Sequence, residues 1–131
     1  DTGTNCYGSD GVPLLCREKS SIHELVHRSG RSFSELLRGP ESLGRILADQ
    51  DYGAVPSVQI PYPLEEEEYY NGGYSIIRHG SRDGGAISGV QIEIHNSIRY
   101  DEELYSDVAR AIAAALLEYL ATIYDEEFRE R

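Results

Sequence analysis

His23 and His27 stand four positions apart with Glu24 directly after the first, the H-E-x-x-H arrangement of zinc peptidases. On a helix that spacing puts both imidazoles on one face, where they can share a zinc ion while the carboxylate takes a proton from metal-bound water. Such a site needs a long buried helix and a third ligand downstream. The surrounding residues suggest a plainer use. Ser21 and Glu24 have the S-x-x-E spacing of a capping box, which gives Glu24 a structural task, and Ser29-Gly30 ends the helix after about two turns. Arg28 puts a charge directly behind the second histidine, and Ile22, Leu25 and Val26 form the core-facing stripe, leaving the imidazoles on its flank. This segment therefore reads as a capped helix with two surface histidines. A HELVH zinc metalloprotease liganded by His23 and His27 is the alternative.

The elements that must position these residues follow from punctuation and periodicity. Ser32 to Glu35 spells a second capping box, opening the helix FSELLR that Gly39-Pro40 closes. Leu43, Ile46 and Leu47 are spaced for a third helix, closed by the turn at Asp51-Tyr52-Gly53. SVQI, bordered by Pro56 and Pro61, reads as a short strand. The glutamates at 65–68 read as a solvated loop, with calcium binding a lesser alternative. GYSIIRHG and GVQIEIH read as the two clearest strands, joined by the glycine-rich loop SRDGGAISG. One long helix over about 101–124 finishes the chain, with Val108, Ile112, Ala115, Leu116, Tyr119, Leu120 and Ile123 as its apolar stripe.

The expected class is α/β: a partial mixed sheet flanked by helices, with a long C-terminal helix. Three strands are few for such a sheet, so residues 20–131 read as the back part of a domain. Residues 1–19 read as a separate loop stapled by a Cys6–Cys16 disulfide, since that polar segment has little else to order it. A disulfide implies the secretory pathway or the extracellular space. The chain has no methionine, not even at its first position, which suggests a processed product or fragment.

With 131 residues the chain holds one domain at most, and with 23 acidic against 12 basic residues it carries a formal charge of −11. Nucleic acid and anionic lipid would repel it, whereas a basic protein surface or a metal ion would not. No apolar run approaches the roughly 20 residues that span a bilayer.

A second set of residues with chemical potential lies on the two expected strands. Gln91 and Glu93 alternate with Val90, Ile92 and Ile94 and so share one strand face. Arg78 on the neighbouring strand could be an ordinary cross-strand partner of Glu93. In chain order, Gly72-Gly73-Tyr74, Arg78, the glycine-rich stretch 80–89, Gln91-Ile92-Glu93-Ile94, Arg99-Tyr100-Asp101-Glu102 and the long final helix resemble the C-terminal part of the N-formylglutamate amidohydrolase-like family. The resemblance covers roughly residues 20–124. It implies a phosphorylase/hydrolase-like fold and zinc-dependent hydrolysis of N-acyl amino acids. Glu93 would then be the general base on zinc-bound water, and Arg78 the clamp on a substrate carboxylate, with Asn71 and Gln91 as further polar contacts.

The family's zinc ligands come from an upstream half, and residues 1–19 contain no histidine. His79 and His95 do not match the ligand positions. The chain is therefore expected to be inactive unless the N-terminal half of the same precursor supplies the metal. The alternative is a secreted, non-catalytic structural or self-assembling module on the same fold, with copies of itself as partners.

Overall fold

The computed structural model describes residues 20–62 and 72–128. Among them are α1 (His23–Ser29), α2 (Phe33–Arg38), α3 (Leu43–Ala48), α4 (Tyr74–His79), a 3-10 turn (Arg82–Gly84), α5 (Asn96–Arg99) and α6 (Glu102–Phe128). No β-strand occurs among the described residues, so the expected α/β class with its mixed sheet is overturned. The expected stapled loop at 1–19 and the acidic stretch at 65–68 lie outside them.

Each expected strand fails for its own reason. In YSIIRH the apolar residues are adjacent rather than alternating, and a run this short suits either period. It winds into α4, with the Ile77 amide donating to Gly73 O at 3.1 Å and the Gly80 amide to Ile76 O at 2.9 Å. SVQI closes on itself instead of extending. The Ser57 amide donates to Ile60 O at 2.8 Å, and the Ile60 amide donates to Ser57 Oγ at 2.9 Å. Residues 89–95 do alternate, yet no neighbouring strand pairs with them among the described residues.

The helical expectations fare better. Ser32 and Glu35 form the full reciprocal capping box, and Gly39 closes α2 by donating its amide to Glu35 O. Hydrogen bonds from Ser32, the side chain first and then the backbone amide, hold the Glu35 carboxyl below its ordinary range. Ser42 caps α3 by accepting from the Arg45 amide at 3.2 Å. Asp101 Oδ1 accepts from the amides of Glu103 and Leu104, both at 3.1 Å, and starts α6. Helical dihedrals in α6 are interrupted at Tyr124, where the sequence placed its end.

The expected capping box of α1 does not form. Its N-cap is Ile22, without a side-chain bond, because the Glu24 amide that Ser21 would cap donates to Ser81 Oγ instead. The Ser21 carbonyl accepts from Ser81 Oγ at 2.8 Å and from the Gly89 amide at 2.9 Å. In return, Ser81 Oγ accepts from the Glu24 amide at 3.0 Å and Ser88 Oγ from the Leu25 amide at 2.9 Å. The first turn of α1, whose amides have no helical partner of their own, is thus capped by a loop about sixty residues away in sequence.

These caps bring the apolar faces together. Ile22, Leu25, Phe33, Leu36, Ile46, Ala115 and Tyr119 form the core, bordered by Val26, Leu37, Leu43, Leu47, Ile123 and Tyr124. α1 to α3 therefore cover one side of the C-terminal half of α6, and α5 packs on α6 further along. Gly44 lets α3 touch the loop at Pro56, because a Cβ there would run into the Pro56 carbonyl and lie 3.4 Å from Ser57 Cβ.

Ser81→Ala should cost about 1–3 kcal/mol in urea unfolding, because it strips a partner from buried backbone groups. Gly44→Ala should cost at least as much, about 1–3 kcal/mol or more, through overpacking against backbone. A change in either variant within the error of the midpoint would contradict this packing. Tyr119 gives a pH signature. Burial, and to a lesser degree the neighbouring Tyr124, push its phenol up to about 12, with Arg31 opposing. An unfolded tyrosine ionises near about pH 10. Between about pH 10 and 12 the folded chain keeps a proton that the unfolded chain has lost, so stability falls as pH rises through that window. Absorbance titration should reveal a late tyrosinate step near pH 12 that Tyr119→Phe removes.

Candidate functional site

Gln91 and Glu93 are brought together by the extended segment that carries both. The Gln91 side-chain amide donates to a Glu93 carboxylate oxygen, while its carbonyl oxygen accepts from the backbone amide of Gly73, the N-cap of α4. Gly73 permits this approach, since a Cβ there would sit 3.0 Å from Gln91 Oε1. The strand geometry expected for the pair is absent, but their proximity is real. The carboxamide orients the carboxylate and ties the segment to the start of α4.

Arg78 is not part of this cluster. It lies in the last turn of α4, whereas Gly73 begins that helix, so the two are separated by about 7 Å of helical rise. No ion pair joins Arg78 to Glu93 among the described residues, and both side chains are exposed. Asn71 lies outside the described residues. What remains among the described residues is an exposed carboxylate hydrogen-bonded to Gln91, an arrangement that can orient a proton acceptor.

The HELVH segment is α1 itself. The helix has seven residues and ends at Gly30, whose φ of 65° is the left-handed cap that favours glycine. Leu25 is buried and Val26 packs on the core, so His23 is left half-buried on the flank and His27 exposed. The two imidazoles lie on one face at the spacing zinc accepts. Among the described residues, however, no group of three His, Cys, Asp or Glu side chains gathers to hold a metal ion. His79 ends α4, exposed. His95 caps α5, its Nδ1 lying 2.7 Å from Ser97 Oγ and accepting from the Ser97 amide at 3.3 Å.

Two features escaped the sequence reading. Ser81 and Ser88 look like polar filler in a glycine-rich loop, yet their hydroxyls supply the cap of α1. Their only sequence signal is serine at both ends of that loop. The other feature is the outer side of α6, where Leu116, Leu117 and Leu120 are exposed although Leu116 and Leu120 were assigned to the core stripe.

Gln91→Ala should destabilise the start of α4 by about 0.5–1.5 kcal/mol, whereas Glu93→Ala, on the open surface, should stay within about 0.5 kcal/mol. Amide exchange at Gly73 reads the difference, speeding up in the first variant and far less in the second. Equal effects would mean that Gln91 does not hold the segment. Compared with family models, curated proteins and solved structures, the chain matches none of them.

Proposed function

We propose that the chain is a non-catalytic interaction module, a helical unit that works when built into a larger assembly. The observation that carries this reading is the amount of large apolar side chain left in water. Tyr74, Ile77, Ile87, Val90 and Ile92 are exposed along 74–92, and Leu116, Leu117 and Leu120 along α6. Leu116, Leu117 and Leu120 share one face of α6, and clustered apolar surface of that kind marks sites of association. The stretch 89–95 supports the same reading, because an alternating segment with no strand beside it among the described residues invites one from a neighbour.

The partner is either the N-terminal half of the same precursor or another polypeptide, including copies of this chain. If Cys6 and Cys16 are bridged, the assembly belongs to the secretory pathway or the extracellular space, and a free-thiol count on the purified chain would return zero. The second reading is a zinc-dependent amidohydrolase completed by a metal-bearing partner. The open carboxylate of Glu93, oriented by Gln91, favours it, since a second chain could reach that group.

Native mass set beside denatured chain mass tests both. The expected result is a native particle well above the 14.6 kDa of one chain. A monodisperse 14.6 kDa species in material isolated from its native source, with no second polypeptide, overturns the interaction module. A second polypeptide with zinc, and hydrolysis of N-acyl amino acids that is lost in Glu93→Gln, would establish the hydrolase in its place.

A further inference from the structure

The outer face of α6 is apolar, and nothing covers it among the described residues. Val108, Ala111, Ala115 and Tyr119 are the buried stripe of this helix. Ala113, Leu116, Leu117 and Leu120 form a second stripe at i, i+3, i+4 and i+7, which is again a single helical face. Its leucines are 36%, 72% and 40% exposed. From Ala109 to Tyr124 the only charged residues are Arg110 and Glu118. A helix that is apolar on both sides is a buried helix in its working state.

The charges at the end of this face decide what covers it. Toward the N-terminus of α6 it runs into a shallow depression lined by Glu102, Glu103, Ser106, Asp107 and Arg110. Arg110 is ion-paired with Asp107 on its own helix, so the glutamates set the sign of the field there. A second copy of the chain would bring another −11 of charge against it. A basic surface would not meet that repulsion.

We propose that the outer face of α6 docks a basic amphipathic helix of another polypeptide. Its leucine-sized anchors pack over Ala113, Leu116, Leu117 and Leu120. Its Lys or Arg residues lie about 15 Å further along, where Glu102 and Glu103 project, a distance set by the helical rise. This rests on the interaction-module reading and names its surface and its partner's chemistry. The anchors supply affinity, while the charge pairs supply orientation and exclude acidic competitors.

The test is a titration of the full chain with a fluorescent helical peptide of leucine and lysine, alongside the same peptide with glutamate in place of lysine. The lysine peptide should bind at least about tenfold more tightly than its glutamate counterpart, a difference of about 1.4 kcal/mol. Leu117→Ser with Leu120→Ser should weaken it by about tenfold. These side chains are exposed, and far-UV circular dichroism confirms that helicity is kept. Glu102→Lys with Glu103→Lys should weaken binding and flatten its salt dependence. Equal binding of both peptides, or no loss in the leucine variant, overturns the proposal by reducing it to general attraction toward an acidic chain. Dimerisation of the wild type that Leu117→Ser abolishes also overturns it, since the occupant is then a second copy. If a native assembly forms and survives the leucine variant, this face is wrong while the interaction module stands. If no assembly forms at all, the interaction module itself falls.

Discussion

Ser42, Ser57 and Ser81 are the buried polar side chains of the described residues, and each hydroxyl closes a helix start or a turn. The rest of the structure depends on this. α1, α2 and α3 are seven, six and six residues long, far below the length at which a helix is stable alone in water. Their first amides must be satisfied inside a packed environment, because a buried unpaired amide costs about as much as the small net gain from several made bonds. Ser81 carries the largest share. It accepts from the Glu24 amide and donates to the Ser21 carbonyl, so one hydroxyl fixes both the start of α1 and the position of the loop at 80–89.

Once those starts are fixed, burial follows from geometry. Leu25, Phe33, Leu36 and Ile46 each come from a short helix that could bury nothing alone, and they meet on Ala115 and Tyr119 of the one long helix. Ala115 is small and fully buried in this cluster, and Tyr119 is buried one turn further along. The arrangement covers a single side of α6. A spine with a stripe of alanine and leucine on its other side is half of a packing problem, and the functional reading follows from that imbalance more than from any polar group.

How much of this could be read from the sequence depended on whether the signal was local. The Ser32–Glu35 box, the stop at Gly39 and the extent of α6 were legible, because residues three or four apart settle them. The Ser21–Glu24 box had the same spelling and failed, since the Glu24 amide donates to the hydroxyl of Ser81, far along the chain. No local pattern announces that competition. YSIIRH carried an ambiguous period and settled as a helix, while VQIEI carried a clear period with no strand beside it, and alternation without a partner makes no sheet. For the candidate site, the proximity of Gln91 and Glu93 was legible from adjacency alone. The placing of Arg78 opposite them assumed a sheet, and without the sheet no ion pair joins it to Glu93 among the described residues.

The glycine-rich stretch from Gly80 to Gly89 shows why the hydrolase reading and the helical fold place different demands on the same residues. A substrate loop and a tertiary cap both need a backbone free of Cβ atoms, turning tightly, with hydroxyls in reach. In this chain the demand is visible at Gly80, where a Cβ would stand 2.5 Å from Ile76 O and 3.1 Å from Ser21 Cβ, and at Gly85, where it would stand 2.5 Å from Gly80 O. The two closest of those approaches are to the chain's own backbone. The loop's serines are likewise committed to the first turn of α1. A loop whose glycines and hydroxyls are consumed in holding a helix start has little left with which to cradle a ligand. In the described residues the loop therefore acts as the cap of α1, and Glu93 keeps Gln91 as its hydrogen-bond partner.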